Sequence, residues 1–263
     1  MIKKKYISIA RCSLQQTISY RLSYLTSIFS QIIYIVFLYY LWQAIFKDRA
    51  YIGNYSWEDM KKYIIISYVI GTNFYTEWRI AKKILDGTIA MDLTKPLQFE
   101  KVNLSETIGT LVFELIVSLS VSLLIIIILF KITISLSLLG WFLFILSVIN
   151  ALFIKFCIIF IAALTAFWTN SVTGVTWARV AITNLFSGAL IPLGMFPDWL
   201  QKIASFLPFQ GIINTPVQIF LNNVETEEII KMLIIQIFWG GSLWIIAKGI
   251  LKVGLKRLTI NGG

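Results

Sequence analysis

The side chains that most often perform chemistry in proteins are scarce in this sequence. It contains no histidine, and its two cysteines, Cys12 and Cys157, lie far apart in the chain. Histidine is the commonest general base and metal ligand, and cysteine metal or redox motifs need closely spaced thiols. The sequence also lacks the glycine-rich loop, ending in Gly-Lys-Ser or Gly-Lys-Thr, that cradles nucleotide phosphates. We therefore expect no catalytic residues, no metal site and no ATPase site in this chain.

Three charged residues stand inside or beside long apolar runs, namely Glu114, Lys155 and Arg179. A charge in hydrocarbon is costly unless it faces the interior of a helix bundle or pairs with an opposite charge. At a rise of about 1.5 Å per residue, Glu114 and Lys155 lie at comparable depths in their helices, so they can form an ion pair. Such a pair would either fix the register of two helices or line a translocation path, and both interpretations stay open. For Arg179 we favour a side chain that reaches the cytoplasmic interface.

The elements that position these charges must be membrane helices. Hydrophobic residues make up 58% and charged residues 14% of the 263 residues, against roughly 45–50% and about 25% in soluble domains. The apolar residues form runs long enough to cross a hydrocarbon core of about 30 Å, which takes roughly 20 helical residues. The net charge of +10 comes from basic residues that flank these runs, which argues for membrane orientation and against nucleic acid. The sequence therefore predicts an all-α integral membrane protein.

Apolar runs and the turn signals between them divide the single domain, residues 1–263, into six transmembrane helices. The turn cluster TNSVTG at 169–174 separates the fourth span from the fifth. The second span is the weakest, because only residues 63–76 within it are free of charge. The predicted spans are about 22–46, 60–80, 104–130, 139–167, 174–192 and 228–248.

Local signals predict where several helices begin. Ser56 with Asp59, and Asn103 with Glu106, have the spacing of capping boxes that open helices. Residues 1–21 mix apolar and basic positions without a breaker, which predicts an amphipathic interfacial helix before the first span.

Two segments between the spans differ in character. Residues 81–102 are polar, and the stretch 77–102 that includes them contains five basic residues, which favours the cytoplasm. Residues 193–226 stay apolar but are repeatedly broken by proline, so they predict short re-entrant or interfacial helices packed against the bundle. The residues that mark this re-entrant segment are Pro192, Pro197, Asp198 and Pro208.

The distribution of basic residues predicts the orientation of the chain. Fourteen lysines and arginines fall before the first span, in the polar segment and in the C-terminal tail, against seven in the opposite segments. Because basic residues are retained on the cytoplasmic side, we expect both termini in the cytoplasm of a multi-pass protein of the cell membrane. The uncharged run behind the basic start is too long for a cleaved signal peptide, so the first span is expected to be retained.

The order of these features resembles the permease subunits of ABC type-2 transporters across the whole chain. KKILDGTIAMDLTKPL at 82–97 looks like the cytoplasmic segment of that family, LFSGALIPLGMFPDWLQKIASFLPF at 185–209 looks like its re-entrant region, and the Gly262-Gly263 end is also similar. The resemblance implies an ATP-driven exporter of a lipid, glycan, peptide or drug-like cargo. It also implies a separate ATPase subunit that binds ATP and Mg²⁺, and a second permease that is either identical or a sister chain.

The resemblance further implies that 82–97 couples the permease to the ATPase. Its apolar side chains are unexplained by a solvated loop, so we expect a helix-in-groove contact, unless the segment lies on the lipid headgroups instead. A break at Asp86 and Gly87 and a stop at Pro96 would divide it into two short helices. The residues assigned to this coupling segment, with Met91 among its apolar members, are Ile84, Leu85, Asp86, Gly87, Ile89, Leu93 and Pro96.

Two other function classes compete with this interpretation. A secondary transporter or channel would need no ATPase, but secondary transporters more often show broken helices in both halves, whereas the breakers here gather in one half. A membrane-embedded enzyme would need clustered histidine or acidic residues, which the sequence does not provide.

Overall fold

The computed structural model describes residues 2–19, 21–71, 76–125, 136–222 and 225–257. Within these ranges the chain is almost entirely helical. The helices are α1 (Ile2–Ser19), α2 (Arg21–Phe46), α3 (Trp57–Gly71), α4 (Thr76–Leu85), α5 (Ile89–Leu93), α6 (Phe99–Ile125), α7 (Leu138–Leu164), α8 (Thr173–Phe186), α9 (Asp198–Phe206), α10 (Asn214–Leu221) and α11 (Thr226–Leu255). Three 3₁₀ turns, Thr165–Phe167, Leu193–Met195 and Pro208–Gly211, connect some of them.

A small antiparallel hairpin leads into α3. Its strands are β1 (Tyr51–Ile52) and β2 (Tyr55–Ser56). Ser56 and Asp59 form reciprocal hydrogen bonds, in which the Ser56 amide donates to Asp59 Oδ2 (3.1 Å) and the Asp59 amide donates to Ser56 Oγ (3.2 Å). These bonds satisfy amides that a helix start leaves unpaired, so the predicted capping box is present.

The centre of the bundle is α7, whose second half is almost fully buried against α4, α10 and α11. Helix α11 approaches α7 and the 3₁₀ turn after it closely, because a methyl group on Gly240 would lie 3.2 Å from the Phe153 ring and one on Gly254 would lie 2.3 Å from the Phe167 ring. Gln236 of α11 joins three elements through buried hydrogen bonds. Its Nε2 donates to the Gly211 carbonyl (2.7 Å), and its Oε1 accepts from Ser147 Oγ (3.0 Å).

The N-terminal helix α1 packs along α6. The two backbones nearly touch, since a methyl group on Gly109 would lie 2.1 Å from the Ala10 carbonyl oxygen. Ser13 Oγ donates to the Glu106 carbonyl (2.8 Å), 93 residues along the chain. Small residues on both helices permit this approach, as at close helix crossings in membranes.

Three helices of the described residues are long and apolar enough to cross a membrane, namely Phe99–Leu123, Leu138–Phe167 and Thr226–Leu255. A shorter apolar helix covers Ile32–Phe46. Together with the helical content, these lengths agree with an all-α membrane protein.

The predicted helix start at Asn103 is wrong. Helix α6 begins at Phe99, and Asn103 lies one turn inside it with Nδ2 donating to the Phe99 carbonyl (2.8 Å). No helix-breaking residue separates Pro96 from Asn103, so the helix starts soon after the proline rather than at the capping spacing. Residues 126–130, assigned to the same span, lie outside the described residues.

The predicted span 60–80 overlaps α3 and α4, and its residues 72–75 lie outside the described residues. The predicted span 174–192 is longer than the helix found there. Helix α8 ends at Phe186 rather than near residue 192, and its 14 residues rise only about 21 Å. The backbone then turns at Gly188, which has φ +85°.

Candidate functional site

One end of the bundle, which we call the α5 end, contains α4, α5 and the first turns of α6 and α8. Helix α4 stops at Leu85, and the amides of Asp86 and Gly87 donate back to the carbonyls of Lys82 (2.9 Å) and Ile84 (3.2 Å). Gly87 has φ +70°, a conformation that glycine adopts without steric cost. Helix α5 follows at Ile89, so a break between two short helices occurs at Asp86 and Gly87.

The structure separates the apolar side chains of the coupling segment into two groups. Ile84 and Ile89 are buried and belong to the core of the bundle, so neither can contact a partner as the sequence suggested. Leu85, Met91 and Leu93 are exposed to 43%, 64% and 39%. We call these three residues the apolar tip. Asp86, Gly87 and Pro96 are exposed around it.

Ion pairs brace the turn that carries the apolar tip. Lys83 Nζ lies 2.9 Å from Asp92 Oδ2 and 3.7 Å from Glu106 Oε1, so it joins α4 to α5 and α6. Arg79 of α4 also contacts Glu106 (3.3 Å), and Lys95 contacts Asp92 (2.7 Å). Partial burial would raise the pKa of Asp92, but hydrogen bonds from Lys95 and Lys83 and their positive charges hold it below its ordinary value.

A buried ion pair connects α4 to α8. Arg179 Nη2 lies 2.7 Å from Glu77 Oε2, and Arg179 Nε donates to the same oxygen at 2.9 Å. Thr176 Oγ1 donates to the other oxygen of Glu77 at 2.9 Å. Glu77 is only 1% exposed, so its charge is compensated by protein groups. The expectation that Arg179 reaches the interface is therefore wrong, because a buried carboxylate holds it inside the bundle.

Lys155 lies in the core of α7 and contacts the end of α3. Its Nζ donates to the carbonyl of Ile70 (3.0 Å), next to Gly71, the last described residue of α3. Glu114 Oε2 is buried and has no hydrogen-bond partner among the described residues. Glu114 and Lys155 interact electrostatically, and a direct ion pair between them stays a prediction.

A groove of about 460 Å³ opens between α2, α3 and α8. Helix α2 contributes Tyr34 and Trp42 and α3 contributes Tyr63, so much of the wall is aromatic. Lys155 from α7 and Arg179 from α8 reach the wall near the α5 end. The groove has the volume and the mainly apolar lining that are typical of sites for small molecules.

The opposite end of the bundle, which we call the α9 end, contains the β-hairpin, α9 and α10. Pro192 precedes the 3₁₀ turn Leu193–Met195, Pro197 precedes Asp198 at the start of α9, and Pro208 opens the next 3₁₀ turn. The prolines thus sit at helix starts, where a missing amide costs least. The segment is a series of short helices packed against the bundle rather than a straight helix.

The α9 end is tied to the bundle through hydrogen bonds to backbone carbonyls. Tyr63 Oη donates to the carbonyl of Gly188 (2.6 Å), and the amide of Asn214 donates to the carbonyl of Ser187 (3.0 Å). A side-chain bond from Gln218 Nε2 to Tyr55 Oη (2.6 Å) joins α10 to the hairpin.

Comparison with known protein families gives one match. The family of ABC-2 family transporter proteins matches residues 28–262, which is most of the chain. The chain belongs to this family. The ABC-2 permease is thus a membrane-embedded transport component and is not itself catalytic. None of the curated proteins compared with the chain matches it.

Sequence reasoning missed the Glu77–Arg179 pair of this ABC-2 permease, although a signal for it was present. Arg179 is the sole charged residue between Lys155 and Asp198, and Glu77 stands at the end of the uncharged run of the second span. Two opposite charges beside apolar runs call for partners, because each alone is costly there.

Proposed function

We propose that this permease forms the membrane-spanning half of an ATP-driven exporter, with ATP and Mg²⁺ bound by a separate ATPase subunit. The observation that carries the proposal is the apolar tip, in which Leu85, Met91 and Leu93 are exposed on a turn braced by ion pairs. A rigid turn that exposes apolar side chains between charged residues is suited to a groove on a protein partner.

The path from the tip to the groove runs through α4. Lys83 and Arg79 tie α4 to the turn and to α6, while Glu77, less than two turns away on the same helix, holds Arg179 of α8. Arg179 also lines the groove. A displacement of the tip by an ATPase would therefore move α4 and α8 together, which would change the width of the groove between α2, α3 and α8.

Copurification with a coexpressed ATPase tests the docking proposal. Leu85→Asp combined with Met91→Asp places two charges in the apolar contact, and we expect the ATPase to be lost while the permease stays inserted and monodisperse. Ile7→Asp is the matched control, since Ile7 is an exposed apolar residue on α1. If the double variant retains the ATPase and the Ile7 variant loses it, the coupling is assigned to α1. The proposal that the ATPase docks on the apolar tip would then be refuted.

The proposed topology has six spans, both termini in the cytoplasm of a cell-membrane protein, and residues 193–226 outside. Support comes from the basic residues that gather in the N-terminal helix, the 81–102 segment and the C-terminal tail. A single cysteine at exposed Asn222, in a chain without Cys12 and Cys157, should react with an impermeant reagent added outside. Reaction only after the cells are opened would contradict the six-span arrangement.

The functional unit is proposed to contain two permeases, which are either identical or sister chains. Crosslinking of the chain expressed alone distinguishes these arrangements, because a homodimer forms without a second gene. A secondary transporter or channel is the competing function. Transport by the purified permease in vesicles that contain neither an ATPase nor ATP would favour it.

A further inference from the structure

The groove between α2, α3 and α8 is charged at one end and uncharged at the other, and Thr183 and Asn184 of α8 add polar side chains along its wall. On α3 it follows a single helical face, from Met60 near the α9 end to Gly71 near the α5 end. The eleven helical rises from Met60 to Gly71 span about 16.5 Å. Trp42 and Ile213 line the groove with Met60 at the α9 end, whereas Lys155 and Arg179 line it near the α5 end.

The charged end of the groove presents cations. Of the described residues in the wall, two are cationic and none is a carboxylate. Glu77 compensates Arg179 from behind, being 1% exposed, and does not line the groove. The surface that a ligand meets therefore carries two cationic side chains, although Glu77 holds the guanidinium and the Glu114 carboxyl interacts electrostatically with Lys155 from outside the lining. A planar guanidinium and an ammonium group are the side chains that bind phosphate and carboxylate groups best.

The uncharged part of the wall suits an apolar chain. Tyr34, Leu38 and Trp42 recur at every fourth residue along α2 and face the groove. They supply a continuous stripe of apolar and aromatic surface, because residues four apart lie on one helix face. Burial of a hydrocarbon chain on such a surface contributes about 0.8 kcal/mol per methylene.

We propose that this groove binds amphipathic molecules with one anionic headgroup, with the headgroup at Lys155 and Arg179 and the apolar chain along α2. The inference names the class of cargo that the proposed exporter would carry. The transport of the bound molecule rests on the proposed function. Binding itself needs neither ATP nor an ATPase subunit.

Charge selectivity of the unaltered permease is the first test. Binding of radiolabelled dodecyl phosphate to the permease is measured in phosphatidylcholine nanodiscs, and empty nanodiscs give the background. Three unlabelled competitors of equal chain length are then compared. We expect unlabelled dodecyl phosphate to compete at least tenfold better than dodecylphosphocholine or dodecyltrimethylammonium. Equal or better competition by the cation would overturn the proposal. This result is independent of the ATPase copurification, so either hypothesis can fail alone.

A variant locates the headgroup. Lys155→Gln removes the charge and keeps a donor for the Ile70 carbonyl, and we expect about tenfold weaker binding of dodecyl phosphate. Lys202→Gln is the matched control, because Lys202 is an exposed lysine of α9 outside the groove lining. Unchanged binding by folded Lys155→Gln protein would refute the assignment.

Photolabelling of the unaltered chain keeps the test decisive if Lys155→Gln does not fold. A dodecyl phosphate with a diazirine at its chain end should label α2 or α3 near Trp42 and Met60, and labels confined to other surfaces would refute the proposal.

The two sources of such a headgroup, a bilayer lipid and a distinct cargo, are separated by repeating the photolabelling in phosphatidylglycerol nanodiscs. Lost labelling there identifies a bilayer lipid as the occupant, and retained labelling identifies a distinct anionic cargo.

Discussion

At the α5 end of the bundle, neighbouring helices are joined by ion pairs, whereas at the α9 end they are joined by hydrogen bonds to backbone carbonyls and by turns at glycine and proline. Among the described residues, ion pairs between different helices occur at the α5 end, and the pair at the α9 end, Lys61 with Glu58, lies within one helix. Gly188, Pro192 and Pro208 shape the α9 end instead.

The two kinds of contact differ in how they respond to movement. Lys83 already lies 2.9 Å from Asp92 and 3.7 Å from Glu106, so a small shift of α4 can exchange its partner at little cost. The contact of Tyr63 with Gly188 depends instead on the backbone of a glycine with positive φ. The comparison predicts that the contacts between helices rearrange more easily at the α5 end than at the α9 end.

The largest effect is expected from the buried ion pair. Arg179→Met leaves the Glu77 carboxylate without its cation in a place where water cannot replace it, and breaking such pairs costs about 3–5 kcal/mol. Thermal unfolding of the detergent-purified permease measures this loss. Adding Glu77→Met to Arg179→Met should recover much of the stability, since no buried charge remains.

Lys95→Met is the control for the Arg179 variant. Lys95 pairs with Asp92 but its side chain is 59% exposed, and exposed pairs contribute little. A loss of stability in Lys95→Met as large as in Arg179→Met would contradict the distinction between buried and exposed pairs at the α5 end.

An intermediate effect is expected at the α9 end from Gly188→Ala. Its φ of +85° strains any other residue by about 1–3 kcal/mol, and the added methyl group would lie 2.5 Å from Tyr63 Oη. Gly249→Ala is the matched variant, because Gly249 lies inside α11 with no atom near the new methyl group. It should stabilise the helix by about 0.5–1 kcal/mol. The measurement is the midpoint temperature of thermal unfolding of each variant. Equal midpoints for Gly188→Ala and Gly249→Ala would show that the α9 end is not rigid.

The smallest effect concerns the pH response of the turn at Asp92. Because the pKa of Asp92 is lowered in the folded state, its ion pairs stabilise the fold above the unfolded pKa of about 3.9, and this stability is lost as the pH falls through the folded pKa. Asp92→Asn should therefore melt below the unaltered protein at neutral pH, and the two melting temperatures should converge below about pH 4. A constant difference between pH 7 and pH 3 would contradict this assignment.

The sequence predicted elements that are marked by long uninterrupted patterns. The apolar run at 139–167 coincides with α7 and its 3₁₀ turn, and the run at 228–248 lies within α11, which continues to Leu255. The spacing of Asn103 and Glu106 predicted a helix start that the structure does not contain, because such a short polar pattern also occurs inside helices.

The candidate site was less predictable, because its contacts join distant residues. Glu77 and Arg179 are 102 positions apart, so their partnership depends on how α4 and α8 pack. Within the coupling segment, the turn at Gly87 resets the helical phase. The sequence alone therefore did not reveal that Ile89 faces the core while Met91 faces outward.

The contact of α1 with Gly109 has a consequence for the biosynthesis of the protein. Ser13 leaves the ribosome 93 residues before its partner Glu106, and at about 5–20 residues per second this interval lasts about 5–20 s. During that time the docking surface on α6 does not exist, so α1 must wait elsewhere. Its exposed Ile7 and Ile18 beside Lys4 and Arg11 suit a temporary place at the headgroup layer. The amphipathic pattern of α1 thus serves the nascent chain before it serves the finished bundle.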